Sequence, residues 1–310
     1  MSTWSEADIP DQTGRVALVT GANSGLGFET ARALAQHGAH VVMGCRNPDR
    51  AADAEARINE TSPSGSVEVL LVDMADLESI AAGADGFLTD HERLDLLVNN
   101  AGIMATPKGA TAQGFEQQFG VNHLGHFALT APLLPALLAA DGSRVVNVSS
   151  NAHKFGRMNF DDLMGERSYN PWRAYGQSKL ANLLFTRELQ RRLAAGGIDT
   201  IAVAAHPGAS KTELGKESGG ILATLMNLAR PVTDRLMSQS AAMGALPQLR
   251  AAVDPAVVGG EYYGPSGFGE MQGHPERVDT TGRARSDEDA ARLWDISVEF
   301  TGADYSTLDG

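Results

Sequence analysis

Short apolar runs alternate with longer stretches of helical periodicity along most of the chain. Several of the apolar runs lack the polar alternation of a half-exposed strand, as expected for strands that are covered on both faces. Six strands are predicted, at residues 15–20, 40–45, 66–72, 94–98, 144–149 and 200–205. Five helices are predicted between them, at residues 26–37, 50–60, 77–90, 111–138 and 173–195. This alternation predicts repeated βαβ units, and therefore an α/β fold with a doubly wound, mostly parallel sheet and helices on both faces.

The rest of the chain is less regular. A helix over residues 238–253 and a short seventh strand over residues 261–263 are predicted. Two long loops, at about 151–171 and 209–235, are predicted to wall a substrate pocket, because long loops in compact α/β domains usually have a function. The apolar residues in and beside them are Phe155, Met158, Phe160, Leu163, Trp172, Leu214, Ile221, Leu222 and Met226. These side chains favour a fairly large apolar substrate, although packing within the loops explains them equally well.

The chain ends in a C-terminal extension, at about 264–310, with an acidic tail over residues 286–310. The tail carries one apolar stripe, formed by Leu293, Trp294, Ile296, Val298 and Phe300. A stripe of this width is typical of a helix that covers a core, so the tail is predicted to dock on the rest of the chain. Residues 1–310 are predicted to form one domain.

Charge and cysteine content exclude several classes of partner. The formal net charge is −13, which argues against a nucleic acid or an anionic membrane surface as partner, because both would repel the protein. The single cysteine, Cys45, cannot form an internal disulfide, which fits a reducing compartment. The most apolar run, residues 129–140, is about half the length that spans a bilayer. We expect a cytoplasmic protein without an integral membrane segment and with a small molecule as partner.

A glycine-rich turn follows the first predicted strand and leads directly into a helix. It reads Thr20-Gly-Ala-Asn-Ser-Gly-Leu-Gly27. Glycines let the backbone approach a phosphate closely, and the first turn of a helix offers free N–H groups to an anion. The spacing alone also fits a purely structural turn, but its place between strand and helix favours a dinucleotide pyrophosphate site.

The end of the second strand bears on which dinucleotide is bound. An acidic residue there would bind the ribose 2′-hydroxyl of NAD(H), whereas a basic residue would accept the 2′-phosphate of NADP(H). The strand ends with Cys45 and Arg46 and has no acid at that point. Arg46 therefore favours NADP(H), with NAD(H) possible if Arg46 is only a solvated residue. No base is near Cys45 in sequence, so we assign its thiol no chemistry.

Tyr175 and Lys179 are one turn apart near the start of the helix over 173–195, and therefore lie on one helix face. Asn170 is predicted to cap this helix, with Pro171 in its first turn. An ammonium near a phenol stabilises the phenolate and is expected to lower the tyrosine pKa below about 10. Tyr175 could then act as an acid or base near neutral pH, although such a pair alone is weak support.

Further polar turns follow other predicted strands. Ser149 and Ser150 end the strand over 144–149, and either could donate a hydrogen bond to a developing oxyanion or cap a loop. The segments Asn99-Asn-Ala-Gly102 and His206-Pro-Gly208 also follow strands. Because the carboxyl ends of parallel strands lie at one edge of a sheet, we expect these turns to meet at one rim.

Together these motifs resemble the short-chain dehydrogenase/reductase family. The motifs are TGANSGLG (20–27), NNAG (99–102), NVSS (147–150), YGQSK (175–179) and HPG (206–208), in the family's order. The stretches that begin at Tyr175 and Ala291 are more narrowly similar to the branch of retinol dehydrogenases and WW-domain oxidoreductases. The resemblance implies a single Rossmann-type, dinucleotide-binding catalytic domain that interconverts a carbonyl and an alcohol by hydride transfer.

The resemblance also implies roles for individual residues. Tyr175 would be the general acid/base, Lys179 would hold the nicotinamide ribose and lower the tyrosine pKa, and Ser150, rather than Ser149, would orient the substrate oxygen. Asn122 would help hold a proton-relay water near Lys179. The implied cofactor-binding residues are Gly21, Asn23, Ser24, Gly25, Leu26, Gly27, Arg46, Asp73, Asn99, Ala101, Gly102, Tyr175, Lys179, Pro207, Gly208 and Thr212.

Two alternative functions are compatible with this fold. An NADP(H) sensor without turnover would be expected to lose the catalytic side chains, which are all present here, and a protochlorophyllide-type double-bond reductase would share the fold and the tyrosine–lysine pair.

No metal is expected, because the sequence spacing of four histidines is not that of metal ligands. These are His123, His126, His153 and His206. The long helices over 111–138 and 173–195 match those that pair subunits in many family members, so a homodimer or homotetramer is possible.

Overall fold

The computed structural model describes residues 3–209 and 239–308. The strands follow the predicted apolar runs closely. They are β1 Val16–Thr20, β2 His40–Cys45, β3 Ser66–Leu71, β4 Leu96–Asn99, β5 Arg144–Val148, β6 Ile201–Ala205, β7 Tyr262–Pro265 and β8 Pro275–Arg277. The first six predicted strands are confirmed to within two residues at each end, and the seventh begins one residue later than predicted.

The helices alternate with the strands as the periodicity predicted. They are α1 Gly25–Gln36, α2 Pro48–Asn59, α3 Leu77–Asp90, α4 over 117–138, α5 Pro171–Ala195, α6 Ala241–Val253 and α7 Asp287–Thr301. The helix α4 contains a π-helical segment at Gly120–Leu124. It passes through Pro132 and Pro135 and ends at Leu138.

The predicted start of α4 at residue 111 is wrong. Gly114 has a φ of +86°, which interrupts a right-handed helix, and its N–H donates to the Thr111 carbonyl across a turn. The helix begins only after Glu116, whose carboxylate accepts hydrogen bonds from the N–H groups of Gln118 and Phe119. Glu116 is therefore the N-cap of α4.

One eight-stranded sheet has the order β3-β2-β1-β4-β5-β6-β7-β8. All neighbouring pairs are parallel except β7 and β8, which are antiparallel. The chain reverses direction across the sheet between β1 and β4, which places a crevice at the carboxyl ends of these strands. This is the predicted doubly wound α/β architecture.

Apolar side chains fill both faces of the sheet. On one face, α1 and α6 pack together over a core of alanine, valine and leucine side chains. On the other face, α4 and α5 pack against the sheet, and the C-terminal helix α7 covers them through Leu293 and Trp294. Trp294 lies 5.1 Å from the ring of Phe127, and the Tyr305 hydroxyl donates to the Phe127 carbonyl. The predicted docking of the tail is confirmed.

Two further features concern the ends of the sheet and the helices. The strand β8 was not predicted, because it has only three residues and begins with proline. Within residues 3–209 and 239–308, none of the helices has the length and apolar character required to cross a bilayer.

Candidate active site

The glycine turn is held open by its backbone conformation and by close packing. Gly21 has a φ of +68°, and a Cβ at Gly27 would lie 2.3 Å from the Gly21 carbonyl oxygen. Neither position accepts a side chain without movement of the backbone. Ser24 stands at the N-cap of α1, and its side chain makes no capping hydrogen bond. The first turn of α1 therefore lacks a side-chain cap and could bind a phosphate.

The Asn99-Asn-Ala-Gly102 turn is attached to the glycine turn through one hydroxyl. Thr20 Oγ1 accepts hydrogen bonds from the N–H groups of Asn100 and Ala101, both at 2.9 Å. It also lies 2.9 Å from His126 Nε2, whose other ring nitrogen is 3.0 Å from the Asn122 carbonyl oxygen. Burial lowers the pKa of His126 to about 4, so the ring is neutral at neutral pH. Thr20 and His126 thus connect β1, the β4 turn and the π-helical segment.

Sequence reasoning missed the contact between Thr20 and His126, because these residues are 106 positions apart. It also assigned Asn99 to the cofactor, but that side chain points into the protein. Asn99 Nδ2 donates to Asn147 Oδ1 at 2.9 Å and to Thr130 Oγ1 at 3.2 Å. The side chain of Asn99 therefore joins β4, β5 and α4, and the other three residues of the turn, Asn100, Ala101 and Gly102, are more accessible.

Arg46 and Asp73 stand together at the carboxyl ends of β2 and β3. The Arg46 side chain is 71% exposed, and its Nε lies 4.0 Å from an Asp73 carboxylate oxygen. An exposed pair at this distance contributes little to stability, which leaves the guanidinium available to another anion. Cys45 beside them is buried, and burial raises the pKa of its thiol to about 11. The expectation of an unreactive thiol agrees with this environment.

Tyr175 and Lys179 occupy one face of α5, as the spacing predicted. Asn170 caps the helix by accepting hydrogen bonds from the N–H groups of Trp172 and Arg173, and Pro171 is its first residue. Lys179 Nζ donates to the Val148 carbonyl at 3.0 Å, which fixes the ammonium at the end of β5. It lies 5.9 Å from the centre of the Tyr175 ring. The cap therefore positions both side chains at the carboxyl edge of the sheet.

The two serines after β5 have different environments. Ser149 is buried, and its hydroxyl donates to the Lys179 carbonyl at 2.7 Å. Ser150 is only partly buried and accepts a hydrogen bond from the Ala152 N–H, and its hydroxyl lies near enough to the Tyr175 phenol to lower the pKa of that phenol. The hydroxyl beside the tyrosine is thus that of Ser150, whereas Ser149 holds α5 against β5.

The pKa of Tyr175 is raised, whereas the sequence predicted that it would be lowered. Burial raises the pKa of Tyr175 above 10, and the nearby Ser150 hydroxyl offsets this only in part. Burial also lowers the pKa of Lys179 to about 8. The prediction neglected burial, which disfavours the charged form of both groups. Proton exchange at neutral pH therefore requires additional charge or hydrogen bonding at this site.

Asn122 lies in the π-helical segment of α4, with its side chain against the β4 turn. Its Oδ1 accepts from the Ile103 N–H at 2.8 Å, and its Nδ2 donates to the Ile103 carbonyl and to Ser178 Oγ. A Cβ at Gly102 would lie 3.1 Å from Asn122 Oδ1 and 3.4 Å from Lys179 Nζ. Asn122, Gly102 and Lys179 are therefore brought together.

The His206-Pro-Gly208 turn closes the rim beyond β6. Gly208 has a φ of +66°, and a Cβ there would lie 2.4 Å from the Met271 carbonyl oxygen. His206 Nε2 lies 3.1 Å from a Glu270 carboxylate oxygen, to which Lys154 Nζ also donates at 2.9 Å. The hydrogen bond with His206, aided by Lys154, lowers the pKa of Glu270 to about 2. Residues 268–271 thus fasten the ends of β5 and β6 to each other.

Other predicted site residues lie around this rim or outside the described residues. Asn23, Gly25, Leu26 and Pro207 belong to the turns described above. Thr212, most of the loop at 209–235, and its apolar residues Leu214, Ile221, Leu222 and Met226 lie outside the described residues.

The apolar residues of the loop at 151–171 and its neighbour Trp172 divide into two groups. Met158, Phe160 and Leu163 pack against a core cluster with α5 and α7, and are therefore structural. Phe155 and Trp172 are exposed, at 53% and 44%. The Trp172 ring lies 6.4 Å from the ring of Tyr175, and a Cβ at Gly176 would contact the Phe155 ring. Two exposed aromatic rings therefore stand beside the tyrosine.

The fold and the arrangement of the rim define the class of protein. A short chain dehydrogenase family model matches residues 15–220. The chain therefore belongs to the short-chain dehydrogenase/reductase family and is an oxidoreductase.

The relatives place it more narrowly, near the retinol dehydrogenases. The chain is 41% identical to human retinol dehydrogenase 12 over 93% of its own length and 87% of the relative's. It is similar, with 43% identity and a TM-score of 0.81, to an uncharacterized protein from Mycobacterium paratuberculosis, with 98% of this chain and 99% of that one covered. A second solved structure, with bound NADP at low occupancy, is described as an NAD(P)-dependent gluconate 5-dehydrogenase from Beutenbergia cavernae. Its identity is 28%, its TM-score 0.62, and the coverage 82% of this chain and 96% of that one.

Proposed function

We propose that this enzyme interconverts a carbonyl and an alcohol on an apolar small molecule, with NADP(H) as its redox partner. The observation that carries the proposal is the Tyr175 phenol at the crevice of the sheet, with the Ser150 hydroxyl near it and the Lys179 ammonium 5.9 Å from its ring centre. Two hydroxyls that face one point can hold a carbonyl oxygen and exchange a proton with it.

The residues at the glycine turn fit a dinucleotide. Gly27 has no room for a side chain against Gly21, and Ser24 leaves the first turn of α1 without a side-chain cap. When bound, NADP(H) would supply or accept the hydride. Arg46, which is exposed and only loosely paired with Asp73, would bind the 2′-phosphate. The bound NADP of the relative from Beutenbergia cavernae supports this cofactor class.

The protein's own residues would then carry the proton and hold the substrate. Ser150 would donate a hydrogen bond to the substrate oxygen, and the Tyr175 hydroxyl would give that oxygen a proton during reduction. Lys179 would favour the resulting phenolate by its charge, while Asn122 keeps the β4 turn beside it. Phe155 and Trp172 support an apolar substrate, and the similarity to retinol dehydrogenase 12 favours a long aldehyde or alcohol.

The test is NADPH oxidation by the purified enzyme across aldehydes and ketones of increasing apolar size. We expect Tyr175→Phe to lower kcat by at least about 100-fold, because it removes the proton donor, with NADPH binding unchanged. NADPH binding is measured by fluorescence titration, and the product is analysed for the alcohol.

The matched control is Tyr263→Phe, which removes a hydroxyl that only donates to Glu261. Its kcat should stay within about twofold of the unmodified enzyme. Substantial activity in Tyr175→Phe would refute the assignment of the acid/base. A faster reaction with NADH than with NADPH would refute the cofactor assignment while leaving the acid/base intact.

A further inference from the structure

A cluster of two histidines and a glutamate lies at the amino-terminal edge of the sheet, opposite the active-site rim. His40 begins β2, Glu68 is in β3, and His91 follows the last residue of α3. One ligating atom from each of the three lies within 4.8 Å of the others. The catalytic proposal uses none of these residues.

The register of the sheet explains why two of the three side chains meet. His40 is paired with Ser66 in the parallel ladder of β2 and β3. Side chains two residues apart on a strand share a face, so Glu68 lies on the same face as Ser66 and His40. The helix α3 ends over this face and delivers His91, whose ring is held 4.7 Å from the Phe87 ring.

One ring nitrogen of His40 makes no hydrogen bond and has only a longer contact, 3.4 Å, with a Glu68 carboxylate oxygen. His40 Nδ1 lies 2.7 Å from Ser66 Oγ, so a proton on Nδ1 directs the Nε2 lone pair towards Glu68 and His91. His40 Nε2 is buried and has no hydrogen-bond partner. Partnering of one imidazole nitrogen by a fixed neighbour is the arrangement that orients a histidine as a metal ligand.

The distances suit a small tetrahedral ion. Glu68 Oε1 lies 2.6 Å from His91 Nε2 and 3.4 Å from His40 Nε2. Ligands about 2.0–2.1 Å from a tetrahedral zinc ion are about 3.3 Å apart, so the His40–Glu68 distance already fits and the short His91–Glu68 contact must open. The side chains of His40, Glu68 and His91 are 31%, 43% and 13% exposed, so an ion and a fourth, water ligand can enter.

We propose that His40, Glu68 and His91 form a Zn²⁺ site that joins β2, β3 and α3. Two imidazoles with one carboxylate form a donor set typical of zinc, whereas magnesium and calcium prefer oxygen ligands alone. The site is distinct from the catalytic rim, because it lies at the opposite ends of the parallel strands. Sequence spacing hides it, since its ligands come from three separate elements.

The test is calorimetric titration of Zn²⁺ into the full-length protein, without a polyhistidine tag and after removal of metal by chelation. We expect one equivalent with a micromolar or lower Kd, and an increase in Tm that grows with Zn²⁺ concentration. Absorption spectra with Co²⁺ in place of zinc report whether nitrogen and oxygen ligands surround the ion in tetrahedral geometry.

Two variants and one control assign the ligands. His91→Gln and His40→Gln should each weaken Zn²⁺ binding by at least about tenfold, while their circular dichroism remains that of the folded protein. The control is His37→Gln, which changes a histidine outside the cluster. Absence of binding, or equal weakening by the control, would overturn the proposal, as would unchanged affinity in both ligand variants. If one variant does not fold, the other and the Co²⁺ spectrum decide.

Discussion

The two halves of the active-site rim are fixed by different parts of the chain. The half formed by the ends of β1, β2 and β4, here the cofactor half, is shaped by backbone, with Gly21 and Gly27 too close to their neighbours for side chains. The half formed by β5, β6 and residues 268–271, here the β5–β6 half, is held by side chains. Lys154, Glu270 and His206 form its central contacts. The comparison teaches that a binding surface built from backbone tolerates almost no substitution, whereas one fastened by side chains can be altered locally.

The largest effect is expected from a single added methyl group in the cofactor half. We expect Gly27→Ala to weaken NADPH binding by at least about 100-fold, because its Cβ would lie 2.3 Å from the Gly21 carbonyl oxygen and displace the turn. Dissociation constants from fluorescence titration provide the measurement.

The matched control for Gly27→Ala is Gly86→Ala in α3, where the nearest atom to a Cβ is a leucine methyl at 3.8 Å. That change should leave NADPH binding unaltered and raise stability by up to about 1 kcal/mol, through the better helix propensity of alanine. Near-normal cofactor affinity in Gly27→Ala would mean that the turn is less constrained than its packing indicates.

A smaller effect is expected from the exposed cation of the cofactor half. Arg46→Ala should raise the Kd for NADPH by roughly 10- to 100-fold, the loss of one charged hydrogen-bonding interaction of about 1.5–3 kcal/mol, and leave the Kd for NADH almost unchanged. Arg50→Ala, at an exposed arginine of α2, is the control and should change neither constant. A parallel decrease in affinity for both nucleotides would exclude recognition of the 2′-phosphate by Arg46.

The smallest effect is predicted for the β5–β6 half, as a dependence of stability on pH. The pKa of Glu270 is lowered to about 2 by His206 and Lys154. Its carboxylate therefore contributes stability that is complete above its ordinary pKa of about 4.3, and that is lost as the pH falls through 2.

We accordingly expect Glu270→Gln to lower the free energy of unfolding by about 1 kcal/mol at pH 7, a value that allows for solvent screening. The difference from the unmodified protein should shrink as the pH is lowered from 5 to 3, as measured by urea unfolding. Glu299→Gln, at an exposed position of α7, is the control. A difference that stays constant down to pH 3 would show that the charge of Glu270 does not fasten this half.

The fold could be predicted from the sequence because each strand is a compact apolar run between clear turns. The strand β2, for example, was predicted with its observed bounds. The start of α4 could not be predicted, since the turn at Gly114 and the N-cap at Glu116 delay the helix without changing the apolar pattern. The strand β8 could not either, because it depends on pairing with β7 rather than on its own three residues.

The relative positions of side chains could be predicted where local spacing determines the geometry. Tyr175, Lys179 and the Asn170 cap lie on one helix, so their relation follows from helical periodicity. Prediction failed where burial or distant contacts decide, as for the raised pKa of Tyr175 and for the Thr20–His126 contact. A sequence pattern indicates which residues approach each other along one element, but not which neighbours exclude water from them.

The antiparallel strand β8 has a consequence for the behaviour of the protein in concentrated solution. An exposed sheet edge offers unpaired N–H and carbonyl groups to other chains and so promotes aggregation. Here the last strand has only three residues, begins with Pro275, which has no N–H, and exposes the charged Glu276 and Arg277. A short, charged edge of this kind disfavours the addition of a further strand from another molecule at the β8 end of the sheet.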